Sequence, residues 1–515
     1  MRASVFGAVL ASAAVVLGSA QVAVAAPDRP GFEVGSIAWR PCAEAPAIEC
    51  GFLELPVDHA RPRGEKFQLA VSRRKAGDPS RRIGAMIINP GGPGGSGVEF
   101  SFRAEGFFSK EITDRFDVIG FDPRGVARSA PIRCSADVLA KRPSLYPQSR
   151  AEFERLVAFN QELRADCRKV SGALFDHVST TDVAHDIDLI RRALGERKIN
   201  WFGVSYGTFM GQQYAELYGR NLRAMVSDST VDHSLGTWQF AATLSRGVED
   251  VFAEWVKWND RDPASPFHGQ DLRRIWKDLL ARADRGELKD PLGNVITAEA
   301  LGAGVQGMGY YPDWKWFADD IAALVNGVPA TRSFGKSELV NYPEPAVFCD
   351  DWNVRIGSWS EYQAINAMNV RLSPNTRGNA LGHFFLASCA GYPKASNPQR
   401  PLNIKHAPKF LMTNSLHDPA TVYEWAVNAH RQTRDTSVLV TYEGSGHTVY
   451  DRSECTRKIN DDYLLSLKLP RTGTRCAETA KPSVVVRLQA DSVPYRGRLS
   501  VSPGGGSVPS ASSGI

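Results

Sequence analysis

The chain has 515 residues, 43% of them hydrophobic and 23% charged, which supplies a large folded core and excludes disorder for most of its length. Its 61 Lys and Arg against 56 Asp and Glu give a formal net charge of +5, too small and too dispersed to argue for a nucleic-acid partner.

Met1 to Ala25 carries one basic residue, Arg2, then an uncharged run rich in Ala and Val that ends Ala23-Val24-Ala25. A small-x-small ending after such a run reads as a signal peptide cleaved near Ala25, so a secreted, extracellular protein is expected. Neither a cysteine near that site nor a second long apolar stretch follows, and no membrane anchor is expected. All eight cysteines lie beyond it, and an even count in an exported chain points to disulfides. Sequence alone leaves the connectivity open. Chain neighbours close the shortest loops: Cys42 with Cys50, Cys134 with Cys167, Cys349 with Cys389, and Cys455 with Cys476. With no CxxC or clustered His spacing, no metal is expected.

Strand and helix signals then alternate. Phe52 to Val57 and Phe67 to Arg73 read as opening strands, Ala85 to Ile88 as a compact apolar strand, and Asp117 to Phe121 as another. A helix capped at Thr181 carries Val183, Ile187, Ile190 and Leu194 on one face and stops at Gly195. This alternation implies a mostly parallel sheet flanked by helices.

The segment Asn89-Pro90-Gly91-Gly92-Pro93-Gly94-Gly95-Ser96-Gly97 lacks the Lys-Ser/Thr of a phosphate loop. Its glycines let the backbone approach a reacting oxygen closely. Gly203-Val204-Ser205-Tyr206-Gly207 lies between an apolar strand, Lys198 to Phe202, and a helical run, Thr208 to Tyr218. That context reads as a nucleophile elbow, with Ser205 at the tip of a strained turn and glycine two residues either side so that the turn can close. The N–H of Tyr206 and one from the Gly91-Gly92 region, assigned to Gly92, are the candidate oxyanion donors.

Later strands end in the two partners a serine nucleophile needs. Lys409 to Thr413 leads to Asp418-Pro419, and Ser437 to Tyr442 leads to Gly446-His447, so acid and base follow the serine in the order expected of this fold class. Ser205 and Asp418 are 213 positions apart, and the surplus reads as an inserted helical cap over residues 232–400 that holds eight of the eleven tryptophans. Those tryptophans either line an apolar pocket or form the cap's own core. The expected organisation is a signal peptide at 1–25, core at 35–231 and 401–480, cap at 232–400, and a tail at 481–515 with Val484 to Leu488 as a further candidate strand.

The set NPGGPGGSG, GFDPRGVARS (Gly120 to Ser129), GVSYGT, Asp418-Pro419 and Gly446-His447, with a closing cysteine pair, resembles secreted tripeptidyl aminopeptidases of Streptomyces-like actinobacteria, which are related to proline iminopeptidase. The resemblance covers roughly residues 35 to 476. It implies an α/β-hydrolase fold with a helical cap, a triad of Ser205, Asp418 and His447, no cofactor, and release of short peptides from free N-termini. Two departures stand out: Ala127 and Ser229 replace glycines usual in the family. If either residue sits at positive φ, it costs about 1 kcal/mol.

An aminopeptidase needs an anion for the substrate's α-ammonium, and Glu249, Glu254 and Asp351, with Asp250 and Asp350, are the candidates in the cap. The expected partner is a peptide or small-molecule substrate, and the oligomeric state is not legible. A secreted carboxylesterase or prolyl aminopeptidase on the same fold is the alternative function, and a non-catalytic binding protein is a third.

Overall fold

The computed structural model describes residues 34–290, 293–326 and 339–479. The expected signal peptide, the tail from 481 and the strand expected at 484–488 lie outside them. Ten strands form one twisted sheet. Antiparallel β1 (Arg40–Pro41), β2 (Glu49–Pro56) and β3 (Lys66–Arg74) make its first edge. They lead through β5 (Phe116–Phe121) to β4 (Gly84–Asn89), then β7 (Ile199–Val204), β8 (Leu222–Asp228), β10 (Phe410–His417), β11 (Ser437–Ser445) and β12 (Arg475–Cys476). Every pairing from β5 to β12 is parallel. Two short strands, β6 (Arg133–Ser135) and β9 (Leu339–Asn341), pair separately.

Among the described residues, seven α-helices precede β8: α1 (Gly97–Phe102), α2 (Ala104–Phe107), α3 (Lys110–Arg115), α4 (Ala136–Leu139), α5 (Arg150–Ser171), α6 (Thr180–Ala193) and α7 (Tyr206–Tyr218). Between β8 and β10 the described residues form seven more: α8 (Thr237–Arg261), α9 (Leu272–Asp284), α10 (Ala298–Tyr310), α11 (Trp314–Val325), α12 (Pro343–Asp351), α13 (Trp359–Leu372) and α14 (Ala380–Ser388). Finally α15 (Tyr423–Gln432) and α16 (Glu454–Ser466) connect the last strands.

The central strands are wholly buried, as parallel strands covered on both faces must be, and this explains their continuous apolar runs. Met86, Ile88, Phe202, Val226, Leu411 and Val440 pack with Phe107, Tyr450 and Tyr463 on one side. A separate core forms among the helices between β8 and β10, where Trp255, Trp276 and Phe317 meet with Val248, Leu301 and Ile321. Trp255 and Trp276 therefore stabilise their own helices, the second of the two readings open for them from sequence.

Boundaries differ from the sequence reading by a few residues, for local reasons. Ser179 rather than Thr181 caps α6, because its extended backbone lets its hydroxyl accept from Asp182 N–H. Strand β10 runs on to His417 because its ladder with β11 resumes after an irregularity, pairing His417 with Ser445. The eight cysteines form four disulfides between chain neighbours: 42 with 50, 134 with 167, 349 with 389 and 455 with 476.

Candidate active site

Ser205 joins β7 to α7 with φ 55° and ψ −126°, a conformation that strains any residue with a side chain. The turn is closed by glycine on both sides: a Cβ on Gly203 would lie 2.3 Å from the Gly207 carbonyl, and one on Gly207 2.6 Å from the Asn89 carbonyl. Ser205 N–H donates to the Asp228 carbonyl at 2.9 Å, and Thr208 donates back to the Ser205 carbonyl. Ser205 is partly exposed between buried Val204 and Tyr206.

The glycine-rich loop after β4 lies directly on this turn. A side chain on Gly91, itself at φ 89°, would reach within 2.7 Å of Tyr206 N and 2.9 Å of Ser205 Cβ. Gly91 N–H is taken by the Asn89 side chain at 2.8 Å, and the Gly91 carbonyl by Gly95 N–H. Gly92 comes next at φ 119°, folded against the main-chain nitrogens of Gly94 and Gly95 within the same loop.

Parallel pairing of β10 with β11 sets Asp418 beside His447. His447 Nδ1 lies 2.9 and 3.0 Å from the two Asp418 carboxylate oxygens, with both side chains buried. Asp418 also accepts from the N–H groups of Ala420 and Thr421 and from the Thr421 hydroxyl. These donors fix the carboxylate, which in turn orients the ring by facing its Nδ1.

The end of β8 and the residue after it bring the histidine loop to the serine turn. Asp228, whose carbonyl receives Ser205 N–H, accepts from Val449 and Tyr450 N–H through its buried carboxyl, and that burial pushes the carboxyl up to about 7. Ser229 adopts φ 63°, and its hydroxyl accepts Thr448 N–H at 2.8 Å, so serine at this glycine position fastens the residue after His447. Ala127 likewise sits at φ 43°. Sequence reading singled out Ser229 only as a departure and did not single out Asp228.

The candidate anions divide. Asp351 is fully buried and accepts from Thr180 N–H and hydroxyl, the Tyr206 hydroxyl and Asn397, so it has no lone pair left for a substrate ammonium and is withdrawn. It ties α12 to Tyr206, the residue after Ser205, instead. Glu249 accepts from the main-chain N–H and the side-chain amide of Asn375, one bond to each oxygen. Glu254 pairs with Lys257, and Asp350 binds Ser396 N–H. Asp250, Glu254 and His417 place ligand atoms within 4.8 Å of one another and so could hold a metal ion, a grouping that chain spacing does not reveal. Each nitrogen of His417 faces one of the two carboxylates, at 2.6 and 3.8 Å, which a protonated ring also satisfies.

Glu344, which sequence reading did not single out, lies against the glycine-rich loop. A Cβ on Gly94 would be 3.2 Å from its carboxyl oxygen. It opens α12 between Pro343 and Pro345, and that placement was the only signal available. It is partly exposed, it forms no ion pair among the described residues, and burial pushes its carboxyl up to about 7, with Arg142 opposing.

Residues 84–303 match the α/β hydrolase fold family, and residues 376–476 match the family described as TAP-like protein. The chain is 32% identical over 495 residues to a tripeptidyl aminopeptidase of Streptomyces lividans, covering 90% of each protein. It is 28% identical to serine protease Hip1 of Mycobacterium tuberculosis, over 85% of this chain and 91% of that one. It is 30% identical to a carboxylesterase B of the same organism, over 85% of this chain and 89% of the relative. The chain is thus a serine hydrolase and belongs to the α/β-hydrolase family that includes the tripeptidyl aminopeptidases of Streptomyces.

Proposed function

We propose that this protein is a secreted serine exopeptidase that releases tripeptides from free N-termini of polypeptides through an acyl-enzyme. Nε2 of His447 takes the Ser205 hydroxyl proton as Ser205 Oγ attacks the scissile carbonyl. The N–H groups of Gly92 and Tyr206 hold the oxyanion, and Asp418 stabilises the imidazolium that forms. His447 then protonates the leaving amine, and water releases the acyl group by the same steps in reverse order.

The observation that carries the exopeptidase reading is Glu344, a carboxyl without an ion-pair partner among the described residues, set against the loop that adjoins Ser205. An ammonium there neutralises it. The tripeptide length rests on the Streptomyces relatives alone. Export is supported by the N-terminal segment and the four disulfides, and no helix of the described residues is long and apolar enough to cross a membrane.

Anilides of Ala-Ala-Pro, Ala-Pro and Pro, each with a free and a blocked N-terminus, test the reading. Free Ala-Ala-Pro anilide should be the best substrate, blocking should abolish turnover, and Glu344→Gln should lower the preference for free over blocked termini. The identity with a carboxylesterase keeps a second reading in view. Turnover of simple esters with none of the anilides would establish it.

A further inference from the structure

Arg452 is buried, and its hydrogen bonds all end on main-chain carbonyls from two separate parts of the chain. Nε donates to the Thr448 carbonyl at 3.0 Å, and Nη2 donates to the His447 carbonyl at 3.1 Å and to the Tyr310 carbonyl at 2.9 Å. Tyr310 is the last residue of α10, so the guanidinium bridges the histidine loop and a helix C-terminus, where carbonyls lack intrahelical donors and a cation is favoured. The same Tyr310 carbonyl receives His447 N–H at 3.0 Å, and the Tyr310 ring stands edge-on to the His447 ring with centroids 4.9 Å apart.

Thr448 makes the bridge necessary. It sits at φ 74°, left-handed and costly for a β-branched residue. Both of its main-chain groups are held, the N–H by Ser229 on the sheet side and the carbonyl by Arg452 on the helix side. Remove the guanidinium and three buried carbonyls lose a donor, while a strained turn next to the base loses one of its two fastenings.

We propose that Arg452 is a positioning residue that fastens the His447 loop to the C-terminus of α10, so that this helix sets the geometry of the base as well as lying over it. The proposal rests on the reading of His447 as general base. In the variant Arg452→Ala the base is displaced while the substrate contacts remain.

The test compares Arg452→Ala and Arg452→Lys with Ser205→Ala and His447→Ala in the mature chain. It measures kcat and KM on a free tripeptide anilide and on a small acetate ester, the rate of labelling by a fluorophosphonate, and the melting temperature. Arg452→Ala should lose kcat about 10- to 100-fold on both substrates with KM within about threefold, since base misplacement of about 1 Å costs rate rather than binding. Guanidinium chloride at low millimolar concentration should restore part of it, and Arg452→Lys should fall between. Wild-type kcat and labelling rate would overturn the proposal, and so would a loss that follows only the melting temperature and is not rescued. If Arg452→Ala fails to fold, Arg452→Lys decides, and wild-type kcat in it counts against the proposal. Should His447→Ala keep its turnover, the triad reading falls instead.

Discussion

The carboxyl edge of the sheet and the helical segment between β8 and β10 do different work, and their buried polar groups show it. At the sheet edge, hydrogen bonds join Asp418 to His447, Ser229 to Thr448 and Asp228 to Val449, and the Asp228 carbonyl receives Ser205 N–H. In the helical segment one buried group is an aromatic cluster of Trp255, Trp276, Phe252 and Phe317, whose core contains none of Ser205, Asp418 and His447. Rate should therefore depend on a few polar contacts at the edge, and stability on apolar packing in the helices. Glu344, Tyr310 and Asp351 are places where the helical segment touches the loops around Ser205 and His447.

The sharpest way to break that division is at the edge itself. Ser205→Ala or His447→Ala should lower turnover about 10⁴-fold or more on anilides and esters alike, with the fold intact by melting temperature. Asp418→Asn should cost a similar factor, because an amide presents its N–H to Nδ1 and drives the ring into the wrong tautomer. Steady-state kinetics on purified variants would check this, and a loss of only a fewfold would mean that another acid orients the ring.

Trp255→Ala attacks the other side. The ring is fully buried among aromatic neighbours, so truncation should cost about 3–5 kcal/mol of stability. Turnover of a small ester per folded molecule should stay within about twofold of wild type, since the ring touches no triad residue. Denaturant melts paired with active-site titration measure the two quantities separately, and an equal loss in both would erase the distinction.

Glu344 lies where the two regions meet, and its effect should be smaller and pH-dependent. Glu344→Gln should lower kcat/KM about 10- to 100-fold for free N-termini, the worth of one partly buried charge pair, and leave blocked esters unchanged. Because burial sets this carboxyl near 7, its anionic form grows in as pH rises, and KM for free N-termini should fall through about 7. It should climb again once the substrate amine loses its proton near 8. A KM that does not change with pH would remove Glu344 from substrate binding.

How much of this was legible follows from which residues are fixed by local sequence. The elbow, the strand ends and the acid and histidine that follow them could be read, because glycine spacing and apolar runs are short-range consequences of the fold, and the structure sets Asp418 against His447. The anions were misjudged because their partners are remote in sequence. Asp351 is occupied by Thr180 and Tyr206, 171 and 145 positions away. Glu344 could not be singled out without knowing that Gly94 would lie beside it.

The same carboxyl gives the smallest and most specific prediction, one on stability. Glu344 titrates near 7 in the folded protein and near 4.3 in an unfolded chain, so across that range the folded state holds the extra proton. Its contribution to stability is fully present below about 4 and is lost as pH rises through about 7, leaving a partly buried charge at higher pH. Glutamine of the same shape carries no such charge. Glu344→Gln should therefore melt within about 1 °C of wild type near pH 4 and on the order of a few °C higher near pH 8. A substrate that brings an ammonium to this carboxyl relieves the same cost, so an unreactive peptide with a free N-terminus should raise the wild-type melting temperature near pH 8 more than that of the variant. A functional site held at a cost in stability predicts this pattern, whereas a carboxyl that only packs α12 against the loop predicts a variant that melts lower at every pH.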